Sequence, residues 1–174
     1  MGGEFSRLKE RNPQDKGSEN AMKIMVSACL LGENCKYNGG NNLNPELVRL
    51  LAGNTVIPVC PEMLGGLPAP RVPAEIVDGI VMTREGVRVD EAFRRGAEKA
   101  LEIARQEKPE LIITKSRSPS CGAREIYDGT FTGKRIPGRG IFAEMAQQAG
   151  FTVMDAEEAL RISPVFRKLP SAGQ

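Results

Sequence analysis

The chain has 174 residues, with 24 basic and 22 acidic side chains, a formal charge of +2, and neither histidine nor tryptophan. That length suits one domain, and the near-balance of interspersed charge argues against a duplex nucleic acid partner, as the scarcity of aromatic side chains does against a single-strand stacking platform. Without histidine, Ser-His-Asp and Cys-His nucleophile pairs and imidazole bases are excluded, so acid–base work falls to Glu, Asp, Lys, Tyr or Cys.

The first 21 residues, MGGEFSRLKERNPQDKGSENA, are polar and contain neither an apolar h-region nor a cleavage site. They read as a tag-like or disordered extension, followed by a domain over 22–165 and a C-terminal tail over 166–174. No apolar stretch reaches the roughly 18–20 residues of a membrane helix, which predicts a cytoplasmic protein with no membrane partner.

Lys23 to Ala28 has the β-like apolar run of a first strand. NPELVRLLAG predicts a helix with Asn44 as its cap and Gly53 as its stop, and Thr55 to Val59 a second strand. Turn signals at DG and EG among β-branched residues make Glu75 to Val89 hairpin-like. EAFRRGAEKALEIARQEK carries apolar residues at helical spacing, with Asp90 expected to cap its start and Pro109 following its end. Leu111 to Thr114 is a third strand, apolar enough to be covered on both faces. AREIYDGTFTGKRIPGRG is glycine-rich and reads as a turn or excursion; GIFAEMAQQAG is a helix ended by Gly150, FTVMD a fourth strand and AEEALRIS a last helix. Strands alternating with helices predict a single α/β domain with an open, mainly parallel, Rossmann-like sheet and helices on both faces.

The cysteines are Cys29, Cys35, Cys60 and Cys121. Cys29 and Cys60 end the first two predicted strands and Cys121 follows the third. In an open α/β sheet ligands bind beyond the carboxyl ends of the strands, so three cysteines distant in sequence can meet there. Buried free cysteines also serve as plain small hydrophobes. Here, however, each stands among glycines or prolines, in CLLGENC, CPEMLGG and SPSCG, where a thiol is exposed and the backbone can approach a ligand. The paired CxxC knuckles of structural zinc and the CxxC of a redox dithiol are both absent. Three spaced thiolates suit an iron–sulfur cluster with one iron lacking a protein ligand, although the clustered ferredoxin spacings are missing too. The basic loops KSRS at 115–118 and GKRIPGRG at 133–140 could hold an anion such as a nucleotide phosphate, or simply face solvent.

Taken together, SACLLGENCKYNGGNN, VCPEMLGGLPAPRVPAE and KSRSPSCG, in this order and spacing, strongly resemble the bacterial 2-thiouracil desulfurase family, over Lys23 to Leu160. The resemblance implies a one-domain α/β fold with a [4Fe-4S] cluster on Cys29, Cys60 and Cys121, whose fourth iron takes sulfur from a thiolated pyrimidine. Cys35 is then a neighbour of the cluster. The family's catalytic glutamate and serine map onto Glu62 and Ser118, with Ser120 the rival serine.

The chemistry agrees with that mapping. Replacing C=S by C=O requires water to attack carbon and a thiophilic centre to receive the sulfur, and the water needs a base. Without histidine, a carboxylate close to a cluster ligand is a sensible base; the alternative for Glu62 is a surface or arginine-paired carboxylate, and for Ser118 a turn-stabilising hydroxyl. Tyr37, Asn38 and Arg71 are further polar candidates for the substrate loop. Arg71, stiffened between two prolines, either pairs with Glu75 or holds substrate. Gly65 and Gly66 are expected to permit tight backbone geometry near the cluster. Competing readings are a non-catalytic iron–sulfur or metal-binding module and a structural zinc–thiolate protein.

Overall fold

The computed structural model describes residues 21–163. The C-terminal tail expected over 166–174, and the N-terminal extension but for its last residue, lie outside the described residues.

In chain order the elements are β1 (Lys23–Ser27), a 3-10 turn (Ala28–Leu31), α1 (Pro45–Leu51), β2 (Thr55–Val59), α2 (Pro61–Leu64), β3 (Ala74–Val77), β4 (Ile80–Thr83), α3 (Asp90–Glu107), β5 (Leu111–Thr114), β6 (Glu125–Tyr127), β7 (Arg135–Pro137), α4 (Ile141–Gln148), β8 (Val153–Asp155) and α5 (Ala156–Arg161). Four strands form one parallel sheet in the order β2-β1-β5-β8. The central pair is apolar along its middle because both faces are covered: Ile24, Val26, Leu111 and Ile113 pack with Leu47 and Leu51 of α1 and Ala159 of α5. On the other face Met25 and Ile112 pack against Ala97, Ala100 and Leu101 of α3 and Phe142 and Ala146 of α4. This is the open, Rossmann-like α/β arrangement that the alternation of elements predicts.

Local chemistry explains most boundaries. The Asn44 side chain accepts the Leu47 amide at 3.0 Å, and Asp155 accepts the Glu158 amide at 2.8 Å, each satisfying a free N–H of a helix start. Asp78 and Gly79, both at positive φ (50° and 79°), make the tight turn of the β3–β4 hairpin.

Two expectations need correction. Asp90 does not cap α3: Val89 holds the cap position, and Asp90 is the first helical residue. Its carboxylate is drawn back to the hairpin, accepting the Val81 amide at 3.0 Å and Arg94 Nε at 2.7 Å, because the amide of β4 lies buried against the helix start and needs an acceptor. The glycine-rich excursion contains a second hairpin, β6–β7, whose three-residue strands are too short to show a period. Neither the 3-10 turn nor α2 was expected. Helix α2 sits tightly on α3 because Gly65 and Gly96 face each other's backbone: a Cβ on Gly96 would overlap the Pro61 carbonyl, and one on Gly65 the Ala92 carbonyl.

Candidate functional site

From β1 the chain goes to β2 on one side and later to β5 on the other, so the strand order reverses between β1 and β5. Connections diverging from that point leave a crevice at the carboxyl ends of the strands. A cavity of about 460 Å³ lies here. All four cysteines line it: Cys29 in the 3-10 turn after β1, Cys35 in the loop that follows, Cys60 directly after β2, and Cys121 in the loop after β5.

The thiols are not equivalent. The neighbouring thiols of Cys29 and Cys60, with burial, push the Cys35 thiol far above the usual range. The contact from Cys35 lowers Cys29 to about 6 against the opposing effect of burial, with help from Asn42 and from the positive charge of Lys115. It lowers Cys60 too, again against burial, aided by the Met63 backbone amide. Cys121 is pushed up to about 12 by burial, which outweighs hydrogen bonds from Ser120 and Ser27. Anionic sulfur is thus favoured at Cys29 and Cys60 and disfavoured by burial at Cys121.

Glu62, in the first turn of α2, faces the same cavity. Burial raises its carboxyl above the usual range, opposed by Arg71, whose Nη2 lies 2.6 Å from Oε2. The Arg71 guanidinium also donates to the carbonyls of Cys35 and Pro68, both at 3.0 Å, and the Arg71 amide donates to the Tyr37 carbonyl at 2.6 Å. One nearly buried arginine therefore ties the loop of Cys35 to the helix of Glu62. The expected pairing of Arg71 with Glu75 is not formed. Glu75 instead accepts the amides of Gly129 at 3.0 Å and Phe131 at 3.2 Å, because β3 carries it toward the loop joining β6 and β7.

Ser118 and Ser120 line the cavity as well. Ser118 Oγ accepts the amides of Ser120 and Cys121, both at 3.1 Å, and lies 3.0 Å from Ser120 Oγ, which in turn reaches the Cys121 sulfur at 3.5 Å. The serine hydroxyls therefore shape the turn that presents Cys121. Tyr37 and Arg71 reach the cavity; Asn38, Gly65 and Gly66 are not part of its lining. Asn38 is exposed and accepts the Gly40 amide at 2.9 Å within its own turn, and Gly65 serves the contact of α2 with α3.

Sequence reasoning passed over several lining residues. Ser27, whose oxygen accepts the Lys115 amide at 3.0 Å, and Asn42 touch the thiols and stand inside the SACLLGENCKYNGGNN segment already singled out. Lys115 belongs to the basic KSRS loop, and its partly buried ammonium has its pKa lowered by burial and by Arg117. Arg84, Tyr127 and Phe131 come from the two hairpins, with the Arg84 guanidinium 5.8 Å from the centre of the Phe131 ring. Nothing in their local sequence marks them, since only the folding of the hairpins over the strand ends brings them here.

Fold and site together define an open α/β protein with a thiol-lined cavity at the sheet's switch point, a donor set suited to soft metals and iron–sulfur groups. The family profile described as 2-thiouracil desulfurase matches residues 24–158. The chain belongs to the 2-thiouracil desulfurase family, a family of enzymes. It is 39% identical over 145 residues to the uncharacterized protein YbbK of Bacillus subtilis strain 168, covering 78% of this chain and 96% of that one. Among solved structures it is similar to a [4Fe-4S]-dependent thiouracil desulfidase, TudS, at a TM-score of 0.77 and 35% identity, covering 85% of this chain and 99% of that chain. No helix among the described residues is long and apolar enough to cross a membrane.

Proposed function

We propose that this protein converts the C=S of thiouracil, or of a related thiolated nucleobase or nucleotide, to C=O by hydrolysis without net redox change, on a [4Fe-4S] cluster held by Cys29, Cys60 and Cys121. The observation that carries this reading is the meeting, around one cavity, of three strand-end cysteines and a carboxylate whose pKa burial raises.

The donor set fits such a group. The ligands would be thiols, two of them disposed to be thiolates, with no imidazole to compete. Among the described residues no three Cys, Asp or Glu side chains gather tightly enough for a single ion. A cubane asks for something else, since each thiolate binds a different iron and the ligands must stand apart. When bound, the cluster would supply a thiophilic Lewis acid at the iron without a protein ligand.

The protein's own groups do the rest. Glu62 takes a proton from the attacking water, and its raised pKa brings it closer to the range where a base works near neutral pH. Arg71 holds one carboxylate oxygen and leaves the other for water. Ser118 orients the pyrimidine edge or the water, its hydroxyl standing 3.0 Å from that of Ser120. Balance requires one water in and one sulfide out for each C=S converted.

The test is anaerobic reconstitution, followed by iron analysis and measurement of sulfide release from 2- and 4-thiolated pyrimidines as bases and nucleotides. Sulfide released in step with the oxo product supports the reading. A brown, iron-loaded protein that releases none would instead be a binding module, and a colourless protein with stoichiometric zinc a structural thiolate site.

A further inference from the structure

Aromatic side chains are scarce in this chain, two tyrosines and six phenylalanines, yet both tyrosines and two of the phenylalanines, Phe93 and Phe131, line the cavity at the strand ends. Phe93 is buried, Tyr37 is exposed with the Lys36 ammonium 5.5 Å from its ring centre, and Tyr127 is half-buried on β6. Phe131 is held differently. It stands in the loop joining β6 and β7 at φ 58°, a left-handed backbone conformation that glycine adopts freely and an aromatic residue adopts at a cost. Contacts from other segments enforce it. Glu75 Oε1 accepts the Phe131 amide at 3.2 Å and the Gly129 amide at 3.0 Å, and the Asp128 amide closes the loop on the Lys134 carbonyl at 3.0 Å. Gly129 lies so close to β3 that a Cβ on it would stand 2.7 Å from the Ile76 carbonyl oxygen. From the residue after β4, the Arg84 guanidinium stands over the Phe131 ring, 5.8 Å from its centre. A large ring held in a costly conformation, where glycine would sit without strain, points to a use for the side chain.

We infer that Phe131 is the specificity-determining residue against which the substrate's pyrimidine ring stacks, with Arg84 bracing the phenyl ring. This rests on the proposed function and deepens it. The cysteines and Glu62 deal with the sulfur and the water and leave the plane of the pyrimidine unfixed. Water adds to a C=S carbon from above or below the ring plane, so that plane has to be set relative to Glu62. A phenyl ring stacked on one face sets it and leaves the opposite face to the water. Stacking of this kind needs only a flat π face, which every pyrimidine base has and a puckered, ring-saturated analogue lacks.

The test compares the parent with Phe131→Leu and Phe131→Tyr as reconstituted enzymes. Sulfide release gives KM and kcat for 2-thiouracil and the inhibition constant of its 5,6-dihydro analogue as a competitor, and iron per chain is measured on the same samples. In the parent, the dihydro compound should bind about 10-fold more weakly than 2-thiouracil, or weaker still. Phe131→Leu should raise KM for 2-thiouracil about 10-fold or more and leave the dihydro constant nearly unchanged, so that the preference is lost at full iron. Phe131→Tyr keeps the ring and should stay near the parent. Equal constants for the two compounds in the parent, or an undiminished preference in Phe131→Leu, would overturn the inference. A preference lost equally in Phe131→Tyr and Phe131→Leu, or iron lost with Phe131→Leu, would show that the loop and not the aromatic face matters, and would overturn it as well. Should the leucine variant fail to fold by circular dichroism, Phe131→Gly, which suits a φ of 58°, is read against the same outcomes. A parent that releases no sulfide from any thiopyrimidine overturns the proposed function and this inference with it, whereas an active parent with an indifferent Phe131→Leu overturns this inference alone.

Discussion

Glu62→Gln separates catalysis from architecture, because the amide keeps the shape of the carboxylate and cannot take a proton from water near neutral pH. Arg71 would lose its charged partner at 2.6 Å but keep the carbonyls of Cys35 and Pro68, and the amide oxygen can still accept from it. The stability cost should therefore be about 1–3 kcal/mol, a drop of several degrees in melting temperature for a domain of this size. The rate effect is larger. A general base contributes roughly 100- to 10,000-fold, equivalent to about 3–5 kcal/mol of barrier. The assay is sulfide release per cluster at saturating thiopyrimidine, with iron per chain measured on the same sample. We expect full iron and a turnover reduced at least 100-fold. In the parent, kcat/KM should rise with pH as Glu62 loses its proton, and burial places that limb above the usual carboxylate range. The variant should show no such limb. Turnover near the parent rate at full iron would remove Glu62 from the mechanism, and a parallel fall of rate and iron would reduce it to a loop-shaping residue.

Asp90→Asn should cost about 1 kcal/mol in urea unfolding near neutral pH. Burial pushes the Asp90 carboxyl up, but Arg94 and the Val81 amide hold it below its ordinary range, so its contribution is present above the unfolded-state pKa and lost as pH falls through the native one. The difference between variant and parent should accordingly shrink in acid. Gly96→Ala should destabilise by about 1–3 kcal/mol or more, because its Cβ overlaps the Pro61 carbonyl, and should lower iron uptake by shifting the element next to Cys60; normal stability and iron would refute the tight contact of α2 with α3. Glu75→Ala frees the amides of Gly129 and Phe131, so KM should rise about tenfold, equivalent to about 1.4 kcal/mol, at unchanged iron per chain. An unchanged KM would show that the loop carrying Phe131 has no part in binding.

Elements whose cause is local were legible before folding. The Asn44 cap, the strand Thr55–Val59, the wholly apolar Leu111–Thr114 and the amphipathic helix from Asp90 follow from side-chain period and capping chemistry within a few residues. So was the gathering of the cysteines, because residues just past parallel strands must emerge on one side of the sheet, and Cys29, Cys60 and Cys121 all do. What remained hidden depends on distance through space. Arg71 stands four residues from Glu75 and nine from Glu62, yet it pairs with Glu62, because β3 carries Glu75 away while α2 turns Glu62 toward the guanidinium. Cys35 reads as a bystander in its glycine-rich loop; its place in the cavity wall is fixed in part by Arg71, which holds its carbonyl from another segment. Arg84, Tyr127 and Phe131 reach the cavity only because two short hairpins fold over the strand ends. Sequence period records which face of an element is apolar, and it holds no record of which polar groups from separate loops will share one low-dielectric cavity; packing of the helices and hairpins on the sheet decides that.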